Sequence, residues 1–430
     1  MTKIQMDSFK SKFGITEGNE WNSFLDAKED LELNEFIKNS PFQKARHRKY
    51  NSKKIPVDDI ILITETKIST QNAFGKILDQ YAKNDTEFGN RIITTSPDVS
   101  VSTNLGPWIN KKGLFSRTDT SDTFRDRKIP SAQKWIFSSQ GQHIELGIAE
   151  MNLFLMLGAA GLSHELFGER LFPIGTVYDP FIARGLDAMN YACYQDARFM
   201  IVGTPSGVSL APEGGAHQSI GTPLIGISQP GLLSYEPAFA DELSIIMNYG
   251  FNYLQDENGG SIYLRLTTRS IEQPLRDINH ELKQNVIKGG YWLRKPGPNP
   301  EIIIIYQGVV ASEAVEATGL LGEKFKDVGV LGITSSDNLF HDWKNKYLSN
   351  EKNNKNSHIE DLLKIIPKDT KIVTVIDGHP MTLSWIGSVF GHKIIPLGVD
   401  KFGQTGSLNQ LFSEFAIDSE SICNLGFNTN

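Results

Sequence analysis

The sequence predicts an α/β protein of two domains with mainly parallel sheets, and three observations predict it. From about residue 61 to 285, the apolar runs RIITT, FMIVGT and SIYLRL alternate with helical segments, the order that gives a parallel sheet covered by helices. After the turn-rich RKPGPNP at Arg294 to Pro300, the runs EIIIIYQG, VGVLGITS, KIVTVID and KIIPLG repeat the pattern. Their unbroken apolar character belongs to strands buried on both faces. The length, 430 residues, accommodates two or three domains, each with its own core.

Taken in chain order, residues 1–60 form a polar lead-in with short amphipathic pieces around Met6 to Phe13 and Trp21 to Phe36. Its basic stretch QKARHRKYNSKK reads as a solvated linker. The first domain spans 61–285. Thr70 to Tyr81 is a helix capped near Ser69 or Thr70, with Ala73, Phe74, Ile77, Leu78 and Tyr81 on one face. RIITT is then a strand, followed by helices from Ile148 and from Ala183, the strand FMIVGT, a helix over Asp241 to Tyr249 and the strand SIYLRL. The second domain spans 290–430, with helices at Ala311 to Lys326 and Asp361 to Ile366 between its strands. KNKYLSNEKNNKNSHIED is a low-hydrophobicity loop within it, and no solenoid repeat is present.

Composition narrows the function classes. Hydrophobic content of 39% and charged content of 22% describe an ordinary globular chain. A formal net charge of −7 provides no basic footprint for nucleic acid or an anionic membrane. Cys193 and Cys423 are the two cysteines, one expected in a buried helix and one in the tail, so a disulfide framework is not expected and a reducing cytoplasm fits. No apolar run reaches the ~20 residues that span a bilayer, and MTKIQMDSFK lacks the apolar core of a secretory signal.

Four segments set polar or aromatic groups among small and apolar residues. HIELGIAEMNLFLMLGAAGL, His143 to Leu162, reads as a helical run buried on most faces, with Glu150 in its first turn and a small-residue stretch, Gly158 to Gly161, for close backbone approach. A carboxylate there loses hydration unless something accepts its charge or shares its proton. Alternatively it is an acid favoured by the helix dipole. LFPIGTVYDPFIARGLDAMNYA places Tyr178 and Phe181 ahead of a helix with Arg184 and Asp187; such a pair is either a ring-binding slot or plain core. GTPSGVSLAPEGGAHQS delivers Glu213, His217 and Gln218 on a glycine-rich loop, with His217 facing a crevice or solvent. TTSPDVSVSTNLG carries Asp98 just after a strand, where open parallel sheets present ligands, although SPD is also a turn former.

As an ordered set these segments resemble the pyrimidine-binding domain of the transketolase and pyruvate dehydrogenase superfamily, followed by its C-terminal domain. GIAEMN is similar to the family's catalytic glutamate motif, and EGGAHQS to its DGPTHQ-type loop. The resemblance runs along nearly the whole chain and is closest to the single-chain, homodimeric type of pyruvate dehydrogenase first component. It implies thiamine diphosphate as cofactor, with magnesium. Glu150 would hydrogen-bond the aminopyrimidine and His217 would meet the substrate, both as catalytic residues. Tyr178, Phe181 and Asp98 would line the cofactor site, and His143 is a secondary candidate. Arg269 in LTTRSI matches the sugar-phosphate pattern, as a phosphate ligand or as a surface partner of Glu272.

The family's GDG motif with its later Asn pair, which holds diphosphate and metal, is not found. IDGHP at Ile376 to Pro380 is the nearest approach, and the opening MTKIQMDSFKSKFGITEGNEW resembles the segment that follows the diphosphate domain in single-chain relatives. The expectation is therefore a partial enzyme that needs a separate diphosphate-binding domain or subunit, as a natural subunit or a piece of a longer chain. A dimer or higher oligomer is implied. Three functions stay open: 2-oxo-acid decarboxylation with acyl transfer to a lipoyl-bearing acyltransferase, two-carbon ketol transfer between sugar phosphates, and a non-catalytic regulatory role.

Overall fold

Strand residues alternate between two apolar layers, and this alternation builds the first domain. Met200 and Val202 enter one core with Phe74, Ile77, Trp108 and Phe251. Phe199 and Ile201 enter another with Leu153, Phe154, Leu157 and Met189. A strand buried on both faces in this way requires a helical layer on each side. In this computed structural model the described residues are 2–22, 31–40, 52–118, 126–129, 135–348 and 356–427. They fall into two units, one of residues 1–52 with 164–169 and one of 53–163 with 170–430.

The smaller unit contains the helices Lys3–Lys12 and Leu31–Asn39, neither with a buried residue. Thr2 caps the first, and its capping box with Gln5 satisfies end groups that have no partner inside the helix. Residues 43–51 of the basic stretch expected as a linker, QKARHRKYNSKK, lie outside the described residues.

Among the described residues the larger unit holds three sheets. Strand β1 (Lys67–Ile68) pairs antiparallel with β10 (Ile271–Glu272). An eight-stranded sheet contains β2 (Ile92–Ser96), β3 (Leu114–Phe115), β4 (Phe137–Ser138), β5 (His143–Glu145), β6 (Phe172–Val177), β7 (Met200–Gly203), β8 (Leu232–Tyr235) and β9 (Ser261–Arg265), in the order β4-β3-β5-β2-β6-β7-β9-β8. All its pairings are parallel. The chain runs outward from β2 to β3 and the edge strand β4, comes back to β5 beside β2, and then crosses to β6 on the other side, which makes the β2/β6 boundary a switch point. In open parallel sheets ligands bind beyond the strand C-termini at such a point.

The third sheet is β11-β13-β12-β14-β15, from β11 (Gly290–Arg294), β12 (Ile302–Gln307), β13 (Gly329–Ile333), β14 (Lys371–Ile376) and β15 (Ile394–Leu397). It is parallel except at its edge, where β11 runs antiparallel to β13. Ile302 and Ile304 enter one core and Ile303 and Ile305 the other, so the EIIIIYQG run is buried on both sides.

Several expected elements change. The helical pattern read from Glu145 and Leu146 onward does not hold at its start: His143–Glu145 is a strand, Gly147 turns the chain at φ 66°, and the helix expected from Ile148 begins at Glu150. Pairing of β5 with β2 draws the first residues into the sheet. Nor is the helix buried on most faces, because Met151 and Leu155 are 41% and 59% exposed and Ile148, just before it, 78%. Gly158 and Gly161 do permit close packing, against Ala192 and the backbone of Arg198. The helix expected from Ala183 is a 3-10 turn, Asp179–Gly185, followed by a helix over Leu186–Tyr194. KNKYL ends the helix Ser336–Leu348 rather than opening a loop, and residues 349–355 lie outside the described residues. Cys423 belongs to the helix Ser419–Phe427 and is buried.

Candidate active site

The segments singled out in the sequence leave the C-terminal ends of four strands of the eight-stranded sheet. Asp98 follows β2, Glu150 follows β5, Tyr178 follows β6 directly, and His217 lies in the connection after β7. Topology alone therefore places these four at one edge of the sheet.

Glu150 is the first residue of its helix and is 8% exposed. Its Oε1 accepts a hydrogen bond from Arg184 Nη1 at 2.6 Å, and Oε2 makes none among the described residues. The Arg184 guanidinium also lies over the Phe181 ring, 3.8 Å from its centroid. Phe181 and Tyr178 are held nearly parallel by the 3-10 turn between them, with centroids 6.0 Å apart and planes 12° apart. His217 meets both rings edge-on, at 5.9 Å from Tyr178 and 5.5 Å from Phe181. Its Nδ1 is buried without a hydrogen-bond partner among the described residues. Such a group loses stability unless a ligand satisfies it. Glu150, Tyr178, Phe181 and His217 thus form one chain of contacts through Arg184.

The other candidates stand apart from this group. Asp98 is exposed, adopts φ 64°, and its N–H donates to Glu145 Oε1 at 2.7 Å. This turn is held by an acid, and among the described residues no hydrogen bond or ion pair joins Asp98 to the aromatic pair. His143 is fully buried, with Nδ1 at 2.8 Å from Thr94 Oγ1 and Nε2 at 3.0 Å from Ser100 Oγ, so both ring nitrogens are engaged. Arg269 does not pair with Glu272, which faces Lys67. It makes two parallel bonds to Glu313, at 2.9 and 2.5 Å, and covers the Phe412 ring. A fork that matches a carboxylate this well has its donors committed. Among the described residues no cluster of three His, Cys, Asp or Glu is placed to hold a metal, and no helix is long and apolar enough to cross a membrane.

A buried charge network beneath the site escaped the sequence reading. Arg265, inside β9, donates to Asp179 at 3.0 Å, to Glu236 at 2.5 Å, and to the backbone carbonyl of Asp377 at 2.8 Å. Tyr263 and Thr222 also donate to Asp179. Burial pushes the carboxyls of Glu236 and Asp377 above the usual range, with Arg265 opposing the shift. The sequence signal was available: a charged residue inside the apolar run SIYLRL requires buried partners.

The family of the pyruvate dehydrogenase E1 component middle domain matches residues 63–274, and that of the transketolase-like C-terminal domain matches residues 289–418. The chain is 25% identical over 383 residues to the pyruvate dehydrogenase E1 component of Buchnera aphidicola subsp. Baizongia pistaciae, covering 84% of this chain and 41% of that one. It is 28% identical over 263 residues to that of Mycolicibacterium smegmatis, covering 60% of this chain and 27% of that one. The match therefore spans less than half the length of these relatives. Among solved structures, a transketolase from Campylobacter jejuni superposes over 99% of this chain and 53% of its own with a TM-score of 0.64 at 16% identity. A split-gene transketolase, described as an inactive β4 tetramer, superposes over 84% of this chain and 97% of its own with a TM-score of 0.56 at 18% identity. The order of the two matched domains, the fold and the sequence relatives agree, and the chain belongs to the transketolase and pyruvate dehydrogenase E1 superfamily.

Proposed function

We propose that this chain provides the pyrimidine-side half of a thiamine-diphosphate enzyme of the pyruvate dehydrogenase E1 type, which decarboxylates a 2-oxo acid and passes the acyl group to a lipoyl-bearing acyltransferase. One observation carries the reading: Glu150, the Tyr178 and Phe181 ring pair and His217 converge, with Glu150 Oε2 and the buried His217 Nδ1 without a hydrogen-bond partner among the described residues. Those atoms suit the cofactor and its substrate. Thiamine diphosphate, when bound, would supply a nucleophilic thiazolium carbon for the carbonyl and a cationic ring that takes up the electron pair of the bond that breaks.

The chain's own residues have narrower tasks. Arg184 occupies Oε1 of Glu150 and so directs Oε2 toward an incoming ring nitrogen, with which the carboxyl shares a proton. Tyr178 and Phe181 give an apolar wall for the pyrimidine. His217 hydrogen-bonds the substrate oxygen and moves protons on it. The diphosphate and magnesium contacts come from a separate domain or subunit. Ile148, Met151 and Leu155, with Tyr191 and Tyr194 on the packed neighbouring helix, give an exposed apolar surface suited to that partner and to dimer formation. A cytoplasmic location fits this assembly.

The commitment of Arg269 to Glu313 favours a 2-oxo acid over a sugar phosphate. The test is reconstitution with a GDG-containing partner. Activity is measured against pyruvate with an artificial electron acceptor, and against xylulose 5-phosphate with ribose 5-phosphate. Turnover of pyruvate is expected; activity on neither pair would leave the regulatory role. Calorimetry with cofactor and magnesium is expected to give weak binding to this chain alone, and micromolar binding would overturn the separate diphosphate domain.

A further inference from the structure

We propose that Asp377, from the C-terminal α/β domain, is a positioning residue that sets the His217 loop against the Tyr178 and Phe181 rings. The inference rests on the reading of His217 as the substrate-facing group. Asp377 follows β14 and is 1% exposed, at the C-terminal edge of the second parallel sheet. Its two carboxylate oxygens accept the backbone N–H groups of Val208 and Ser209 at 2.8 and 2.9 Å. These residues open the 3-10 segment Val208–Glu213 that leads to His217. A side chain and two backbone groups bonded in this way fix both the height and the direction of the loop's first turn.

The two ends of the segment that carries His217 meet beside the same carboxylate. Gly207 adopts φ 70°, and a Cβ at that position would run into the Asp377 carboxylate. Its N–H donates to Ser219 Oγ at 2.9 Å, so the loop's two ends close on each other. Arg265 reaches Ser219 Oγ at 3.1 Å and the Asp377 carbonyl at 2.8 Å with one nitrogen, while its Nε bonds Asp179 at 3.0 Å. Asp179 adjoins Tyr178 and begins the turn that carries Phe181. One guanidinium therefore joins the aromatic segment, the loop's exit and the C-terminal domain. On the far side Gln218 Nε2 donates to the Gln404 carbonyl at 3.0 Å, a second grip from the same domain.

Asp377, Arg265, Asp179, Ser209 and Ser219 are all buried, which shields their bonds from competing water, and the position of His217 depends on a domain that contributes no atom to the ring cluster. Asp377→Asn keeps the shape but presents an amide donor to one of the two N–H groups, which removes an acceptor. A misplacement of the order of 1 Å can lower a rate by about 100-fold.

The test uses the full chain with isotope-labelled histidine, in which the His217 ring resonance is assigned by its loss in His217→Ala. Stacked rings nearby make that resonance sensitive to position. In Asp377→Asn the His217 signal is expected to move while that of His143 stays, and in the reconstituted enzyme kcat is expected to fall about 10- to 100-fold with thermal unfolding still cooperative. Asp377→Glu is expected not to restore it, because the longer stem displaces both acceptors. Ser219→Ala serves as the independent variant if Asp377→Asn does not fold, and it is expected to move the same signal. An unchanged His217 resonance in the folded variants would overturn the proposal. Should His217→Ala retain full activity while the Asp377→Asn signal still moves, the functional reading of His217 fails and the positioning stands.

Discussion

Arg184 is shared between Glu150, whose Oε1 it bonds at 2.6 Å, and Phe181, over whose ring it lies at 3.8 Å. A single half-exposed guanidinium thus fixes the carboxyl and the aromatic wall relative to each other. The ion pair itself adds little to stability, because water screens an arginine this exposed. Its consequence is orientation.

Glu150→Gln keeps the size and the Arg184 contact but removes the shared proton. Turnover of the reconstituted enzyme is expected to fall by at least ~100-fold, the scale of a lost acid-base contribution, with the thermal midpoint nearly unchanged. A loss of stability without a specific rate loss would instead assign Glu150 to the helix dipole.

Arg269→Ala leaves Glu313 partly buried without its fork. Denaturant unfolding is expected to show a loss of about 1–3 kcal/mol, while pyruvate turnover stays within a few-fold. A tenfold rise in the Michaelis constant for phosphorylated sugars would return Arg269 to phosphate binding. His217→Ala, assayed beside it, is expected to be severe with either substrate pair.

Burial alone would raise the Glu145 carboxyl, but hydrogen bonds from His143, Ser100 and the Asp98 N–H outweigh it and hold it below its ordinary value of 4.5. A depressed acid stabilises the fold at pH above its unfolded value and loses that contribution as pH falls through its folded value. Glu145→Gln is therefore expected to unfold at lower urea than the parent at pH 7. The gap should narrow as pH drops below 4.5, and a constant gap would show that shape, not charge, is responsible.

Burial pushes the Cys193 thiol up to about 12. Thiolate is the reactive form, so a thiol reagent at pH 8 is expected to leave Cys193 unmodified until the chain unfolds. Fast modification of the native chain, located by mass spectrometry, would contradict the burial.

Local pattern carried far in this chain. The β-branched runs at Ile92–Ser96, Met200–Gly203, Ile302–Gln307 and Lys371–Ile376 are strands because their side chains suit a surface buried on both faces, and that preference is written in neighbouring residues. Glu150, Tyr178, Phe181 and His217 stood out for a similar reason: polar or aromatic groups among small and apolar neighbours. Pairing decided the rest. His143–Glu145 became a strand because β2 lies beside it, although Glu145 also fitted the helical pattern that follows. Arg269 chose Glu313, 44 positions away, over the nearby Glu272. Arg265 found Asp377 across 112 positions, which joins two domains and holds a loop. Such contacts depend on which surfaces the folded sheets bring together, and buried charges then take whichever partners the packing leaves within reach.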